Sequence, residues 1–271
     1  MSPSDNRQPR KTGELTLRIL SAAVLIPLGL FVVWFGGWWL AVACAVFALI
    51  MGYEWSDMSR SIPAWAMMAA SGIAPLAFQM GGWPYAIGAA ILALLIIALT
   101  ASVRTRAALG LIYTAAPPTL LLALREGGWD GQSAALIFMA TVWASDVGAY
   151  FAGRTFGGPP LSPKDSPNKT WSGALGGVMS CMLCGIAAAT QLGAPYLPWI
   201  VTGALISVVA QFGDLAESQV KRRFGVKDAS GLVPGHGGVM DRVDGLGAVC
   251  MATVPIFLVS PDLVRLLGLS G

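Results

Sequence analysis

Long uncharged stretches, separated by short clusters of charged residues, make up most of the chain from residue 19 onward. A helix needs about 20 apolar residues to cross the hydrocarbon core of a bilayer. Three stretches are long enough for two such helices, and each has a glycine- or proline-containing break; they are 19–53, 61–103 and 170–213. Three more stretches hold one helix each, namely 107–124, 132–153, which carries Asp146, and 245–264, which carries Asp262 near its end. The pattern predicts an all-α, polytopic membrane bundle with about nine transmembrane helices.

Basic residues are concentrated in the segments that connect the predicted helices on one side of the bundle. Fifteen of the 17 Lys and Arg residues fall in segments on one side of the bundle, whereas Arg125 and Arg265 fall on the other. Cytoplasmic loops carry the excess of Lys and Arg in membrane proteins. The distribution therefore predicts an N-terminus inside the cell and a C-terminus outside, with residues 1–15 as a disordered cytoplasmic tail and 16–271 as a single transmembrane domain.

Composition agrees with a membrane protein and excludes most soluble classes. Only 11% of the residues are charged and 55% are hydrophobic, with a mean hydropathy of +0.67, whereas soluble domains carry about 25% charged residues. The net charge of +3 is explained by the basic loops. It implies no nucleic-acid partner.

Two polar segments, 143–173 and 211–245, hold eight of the basic residues, seven of the 14 acids and the single histidine. In the first, Asp146 lies in an otherwise apolar helix, where a carboxylate is costly unless it faces a cavity, a cation or a partner. An acid at a helix end that simply reaches water is the alternative. Lys164 and Lys169 follow in a proline-rich loop, where lysines attract phosphates or anionic headgroups, or merely mark a cytoplasmic loop.

The second segment places four polar residues on one stripe of a helix, because Asp214, Ser218, Lys221 and Arg222 stand at i, i+4, i+7 and i+8. A glycine-rich turn follows, whose backbone N–H groups suit an anion. The next helix begins with Asp241 and Asp244, which face the same way at i and i+3.

Carboxylates completed by waters and substrate phosphates are the ligands that Mg²⁺ prefers. Phosphoryl and nucleotidyl transfer require mainly metal ions and cationic side chains that position reactants and neutralise charge. An ion-coupled transporter has a similar inventory, but its polar groups concentrate near the midplane and in paired halves. Here the polar groups lie at one face, in the C-terminal half, without a detectable repeat.

These residues carry a family resemblance. The run from Ser218 to Asp244, SQVKRRFGVKDASGLVPGHGGVMDRVD, is similar to the signature of phosphatidate cytidylyltransferases, also called CDP-diacylglycerol synthases. The runs SDVGAYFAGR at 145–154, SPKDSPNKT at 162–170 and GDL at 213–215 also resemble that family. Two positions depart from its pattern: Val233 replaces a bulkier apolar residue, and Ser172 stands where an acid is expected.

The resemblance implies a catalytic domain that converts CTP and phosphatidate into CDP-diacylglycerol and pyrophosphate with Mg²⁺, usually as a homodimer. It implies a bacterial inner membrane location, with the active site facing the cytoplasm. On this interpretation Asp214 and Asp241 are the first choices as metal ligands, followed by Asp244 and Asp228. The residues expected to bind CTP or the lipid phosphate are Ser218, Lys221, Arg222, Lys227, His236, Gly237, Gly238 and Arg242, completed by Asp146, Lys164 and Lys169.

Other functions remain open at this point. A CTP-dependent kinase of the polyprenol or phytol type would use the same inventory, with an alcohol attacking the γ-phosphorus. A transporter or a non-catalytic membrane scaffold is a further alternative. The reaction products distinguish all of these.

Overall fold

The computed structural model describes residues 26–127, 130–163, 165–232 and 237–269. The predicted N-terminal tail, 1–15, lies outside these residues. Within them the helices are α1 Ile26–Phe35, α2 Gly37–Ser59, α3 Ala64–Thr100, α4 Arg104–Arg125, α5 Gly131–Phe156, α6 Trp171–Leu192, α7 Tyr196–Arg223, α8 Met240–Val259 and α9 Pro261–Leu266. A short antiparallel hairpin, β1 Pro160–Ser162 and β2 Ser166–Thr170, replaces the proline-rich loop expected before α6.

The 37-residue helix α3 is a helical hairpin rather than one rod. Gly81 and Gly82 have non-helical backbone angles, and the rings of Phe78 and Trp83 meet across the turn at 5.1 Å. A straight helix of that length would separate its ends by about 55 Å. Instead, the carbonyl of Ser61, before the helix, accepts hydrogen bonds from the amide and hydroxyl of Ser102, after it. The chain therefore crosses the bundle twice within α3, as the sequence predicts from the Gly-Gly-Trp-Pro break.

Seven of the described helices, α2 to α8, are long and apolar enough to cross a membrane. With α3 counted as two arms, and α1, which lies within the first predicted span, added, the described helices correspond to the expected nine. Large apolar side chains lie exposed along these helices, among them Leu99, Leu197 and Val259, all more than 70% exposed. Such exposure is costly in water but favourable in lipid. The chain is a multi-pass, all-α membrane protein, which confirms the predicted fold class.

The two ends of the bundle differ in chemistry. At one end the loop after α2 contacts the loop after α3, while Arg106 lies over the Phe224 ring that follows α7. At the other end, Arg125 bonds to α1 carbonyls and the Trp199 indole donates to the Leu267 carbonyl at 2.8 Å. Arg106 in the first turn of α4, Lys169 between α5 and α6, and Lys227 after α7 lie at the first end, which we call the polar end.

Candidate active site

Close packing of α7 against α8 builds the centre of the polar end. A Cβ added at Gly213 of α7 would lie 2.4 Å from the Ala248 Cβ and 3.0 Å from the Asp244 carbonyl oxygen of α8. Only glycine permits this approach. It places the two neighbouring carboxylates, Asp214 and Asp244, within electrostatic range of each other.

A third element contributes a cation to this pair. Lys169, near the end of β2, forms an ion pair with Asp214, and both side chains are about one-third exposed. The hairpin is also tied to α7, because the Gln219 amide donates to Asp165 at 3.2 Å. The structure therefore brings Lys169 and Asp214 together, although 45 positions separate them in the sequence.

Asp146 completes this group from α5. It interacts electrostatically with Asp214, Lys169 and Arg242, so four elements meet at one place. We call Asp146, Asp214, Asp244, Lys169 and Arg242 the acidic cluster. Among the described residues, no three His, Cys, Asp or Glu side chains lie close enough to form a complete protein-only metal cage.

Behind the acidic cluster lies a second, more deeply buried group. The Lys221 ammonium contacts the Glu217 carboxylate at 3.1 Å and the Asp241 carboxylate at 2.5 Å. The exposed fractions of these three side chains are only 11%, 1% and 8%. The Tyr113 hydroxyl of α4 donates to the other Glu217 oxygen at 2.6 Å. We call Lys221, Glu217 and Asp241 the buried triad. Together with Tyr113 it joins α4, α7 and α8.

Asp241 also organises the end of the glycine-rich turn. Its Oδ2 accepts hydrogen bonds from the amides of Ala229 at 3.0 Å and Gly238 at 2.8 Å. The sequence predicts that this turn offers its amides to a substrate phosphate and that Asp241 ligates a metal. In this structure the Gly238 amide is bound by the protein's own carboxylate, and both Asp241 oxygens have protein donors.

The remaining predicted residues lie around these two groups. Ser218 is half-buried on α7, whereas Lys227, Asp228 and Arg242 are exposed. Arg222 is also exposed and donates to the Val226 carbonyl at 3.2 Å. Gly237 adopts a positive φ of 81° beside Asp241. Lys164 and His236 lie outside the described residues.

Ser172, which stands where an acid is expected, has a local role. Its hydroxyl donates to the Gly157 carbonyl and bonds to the Thr170 hydroxyl at 3.0 Å. Thr170 in turn accepts from the Gly173 amide at 3.1 Å as the N-cap of α6. Ser172 therefore fixes the start of α6 next to Lys169.

Three polar residues at the polar end are missing from the sequence-based prediction: Glu54, Tyr113 and Glu217. Glu54 is fully buried on α2 and binds the segment before α8. The available signal was the rule already applied to Asp146, that an acid in an apolar helix needs a partner. The same rule singles out Glu54, whereas the partners of Glu217 follow only from the fold.

Comparison with known proteins identifies the family. A model of the cytidylyltransferase family matches residues 16–260. The chain belongs to the cytidylyltransferase family. It is 40% identical over 246 residues to a phosphatidate cytidylyltransferase of Brucella suis, covering 86% of this chain and 90% of the relative. It is 33% identical over 270 residues to the enzyme of that name from Pseudomonas aeruginosa, covering 90% and 95%. The resemblance inferred from the motifs is confirmed.

The geometry of this cytidylyltransferase-family site suits polyanionic reactants. Carboxylates from α5, α7 and α8 converge beside Lys169 and Arg242, at the end of the bundle rather than at its middle. A lipid headgroup lies at this depth in a membrane, and a water-soluble nucleotide has access from outside it. The site is therefore placed for a reaction between a lipid and a soluble anion.

Proposed function

We propose that this protein transfers a cytidylyl group from CTP to phosphatidate, which forms CDP-diacylglycerol and releases pyrophosphate. The observation that carries the proposal is similarity to phosphatidate cytidylyltransferases over nine-tenths or more of their length. The convergence of Asp146, Asp214, Asp244 and Lys169 at the polar end supplies a site with the corresponding chemistry.

The reaction makes modest demands on acid–base chemistry. An oxygen of the phosphatidate phosphate attacks the α-phosphorus of CTP, a new O–P bond forms, and the bond to the β-phosphate breaks. Because the attacking oxygen is already anionic at neutral pH, no strong general base is required. The obstacle is repulsion between two polyanions, which Lys169, Arg242 and Lys227 reduce by neutralising and orienting the phosphates.

The donor set at the polar end fits Mg²⁺. Mg²⁺ takes one or two protein carboxylates and completes its shell with water and substrate phosphates, and Asp214 and Asp244 are two such carboxylates on packed helices. When bound, the ion would polarise the phosphoryl oxygens and stabilise the charge that develops on the leaving pyrophosphate. Asp241 stays a predicted ligand, although its oxygens are held by Lys221 and two amides.

We further propose a bacterial inner membrane location with the polar end in the cytoplasm, where CTP is available. The excess of basic residues at this end supports that orientation. Phosphatidate would remain in the leaflet and reach the acidic cluster laterally. A homodimer is the expected assembly from the family resemblance.

Isotope placement tests the proposal directly. Purified protein in detergent is incubated with phosphatidate and Mg²⁺, using CTP labelled at the α-phosphorus in one reaction and at the γ-phosphorus in another. We expect the α-label in the lipid product and the γ-label in pyrophosphate. A γ-labelled lipid would instead identify a kinase and overturn the proposal.

Two controls connect the product to the site. Chelation of Mg²⁺ should stop turnover, and Asp214→Asn should lower it at least 100-fold while the protein still inserts and purifies. Asp262→Asn removes an acid that is 96% exposed in α9 and should retain wild-type turnover. Equal activity of both variants would contradict the assignment of Asp214.

A further inference from the structure

Glu54 is an acid of α2 whose side chain is completely buried at the polar end. Its Oε1 accepts hydrogen bonds from the Ser230 hydroxyl at 2.6 Å and from the Val239 amide at 2.8 Å. Its Oε2 accepts from the Met240 amide at 2.8 Å. Ser230 and Val239 belong to the segment between α7 and α8, and Met240 is the first residue of α8. One side chain of the N-terminal half therefore binds this segment near its middle and again where it joins α8.

These bonds are made where α8 begins. The first amides of a helix have no partner within the helix, and a negative charge at that position is stabilised by the helix dipole. Glu54 takes the amides of Val239 and Met240, while Asp241 takes the preceding amide of Gly238. Two carboxylates on different helices thus hold three consecutive amides.

The side chain of Glu54 also explains a glycine of the motif. A Cβ added at Gly238 would lie 2.7 Å from Oε1 of Glu54 and 2.8 Å from the Ala229 Cβ. The turn is therefore closed tightly around this carboxylate. The backbone at Gly238 cannot accept a larger residue unless Glu54 and Ala229 shift.

Burial alone does not account for an acid at this position. Moving a carboxylate out of water costs several kcal/mol, and apolar residues of similar volume often replace buried charges without loss of stability. What the carboxylate supplies is geometry, because three donors in fixed positions define where the start of α8 lies relative to α2.

We propose that Glu54 is a positioning residue of the cytidylyl transfer, one that holds the first turn of α8 so that Asp244 meets Asp214 and Asp241 meets Lys221. The inference rests on the function proposed above. Glu54 acts through the backbone of the turn, while Asp244 and Arg242 lie on the helical turn that it anchors.

Glu54→Gln tests this directly. The variant keeps the volume but turns one acceptor into an NH₂ group facing backbone donors. We expect kcat to fall at least tenfold and the Mg²⁺ concentration for half-maximal activity to rise at least threefold. The KM for phosphatidate should stay within twofold, because the lipid-facing surfaces are unchanged. Glu54→Asp, which retains the charge, should recover part of kcat.

Hydrogen exchange provides a readout that does not depend on turnover. Amides of 237–242 should exchange at least tenfold faster in Glu54→Gln than in the wild type, whereas amides of α5 should not change. If wild-type protein yields no CDP-diacylglycerol but this exchange effect appears, the proposed function fails and the anchoring role survives. If exchange is unaltered, the anchoring role fails whatever the product.

Two matched variants separate positioning from general destabilisation. Asp57→Asn changes an exposed acid on the same helix and should leave kcat and exchange unchanged. Trp199→Phe removes a buried hydrogen bond at the opposite end and should lower Tm without altering the Mg²⁺ dependence. Wild-type kcat and Mg²⁺ dependence in Glu54→Gln would overturn the proposal. Should no Glu54 variant fold, Ser230→Ala decides: a kcat at least threefold lower supports the proposal, and an unchanged kcat overturns it.

Discussion

Lys221 and its neighbour Arg222 provide a test of the structure. The sequence predicts that both bind phosphate, whereas the fold buries Lys221 and leaves Arg222 exposed. Lys221 is 11% exposed between two carboxylates that are 1% and 8% exposed. Arg222 is exposed, and its guanidinium donates to the nearby Val226 carbonyl. We expect Lys221→Met to destabilise the protein severely and Arg222→Met to change its stability little.

The magnitude follows from burial. Removing one partner of a buried ion pair costs about 3–5 kcal/mol, because the remaining charge is left uncompensated. Here the Nζ contacts at 3.1 and 2.5 Å both disappear, and Glu217 and Asp241 are left facing each other. Since about 1 kcal/mol corresponds to roughly 2–4 °C in a chain of this size, Tm should fall by about 10 °C. An exposed substitution such as Arg222→Met changes stability by about 0.5 kcal/mol or less.

Thermal unfolding in detergent measures this difference, and a double variant checks its cause. Lys221→Met with Glu217→Gln removes one of the two stranded acids, while the glutamine carbonyl still accepts from the Tyr113 hydroxyl. We expect the double variant to regain more than half of the lost Tm. A Tm for Lys221→Met within 2 °C of the wild type, or a double variant less stable than the single one, would refute the view that Lys221 compensates two buried charges.

Two further predictions concern opposite ends of the bundle. Lys169→Met removes a partly exposed ion pair, so the free energy of unfolding should change by only about 0–1 kcal/mol. Turnover should fall about 10²–10³-fold if Lys169 stabilises phosphate charge. Arg265→Met, which changes an exposed cation, is the control, and a turnover of Lys169→Met within threefold of the wild type would contradict the role. Arg125→Met removes bonds to the Val33 and Trp34 carbonyls at 2.7 and 3.0 Å. It should lower stability by about 2 kcal/mol, measured as Tm, with unchanged turnover at low temperature; reduced turnover in the folded variant would show that the two ends are coupled.

The parts of the fold that depend on local signals were predictable from the sequence. The turn within α3 follows from the Gly81-Gly82 pair, because Gly82 adopts a φ of 69°, a conformation that glycine reaches without steric cost. The membrane spans follow from the length of uncharged runs. Neither needs knowledge of what packs against the segment.

The sequence predicts which residues form the candidate site, but only partly which of their side chains contact each other. The sequence predicts that Asp146, Asp214, Asp244 and Lys169 act at one place, and the structure brings them together. The helical stripe also predicts that Lys221 and Arg222 act together on phosphate. Helix periodicity gives the direction of a side chain but not the identity of its neighbour, and here Glu217 and Asp241 bind Lys221 away from the surface.

Glu54 shows why the pairing of buried acids was not predictable. The rule that an acid in an apolar helix needs a partner applies to Glu54, but it does not say which residue that partner is. Its partners Ser230 and Val239 are 176 and 185 positions away in the chain, and no local pattern relates α2 to α8. The neighbouring Trp55 also contacts residues that are distant in the chain, since its ring packs against the rings of Tyr113 in α4 and Phe224 after α7. Long-range pairing of this kind depends on the order of the helices in space, which hydrophobic periodicity does not specify.

Basic residues are in excess over the whole polar end, but the acidic cluster and the buried triad within it are net negative. This local charge balance gives a physical reason for a divalent ion in the proposed reaction. The acidic cluster holds three carboxylates against two cations, and the buried triad holds two carboxylates against one. Glu54 adds a further buried acid close to the triad. A site with this excess of negative charge repels both CTP and phosphatidate unless positive charge arrives with them. In the proposed reaction, Mg²⁺ held by Asp214 and Asp244 would supply the positive charge that reduces this repulsion. Lys169, which pairs with Asp214 in the structure, would then bind a phosphate.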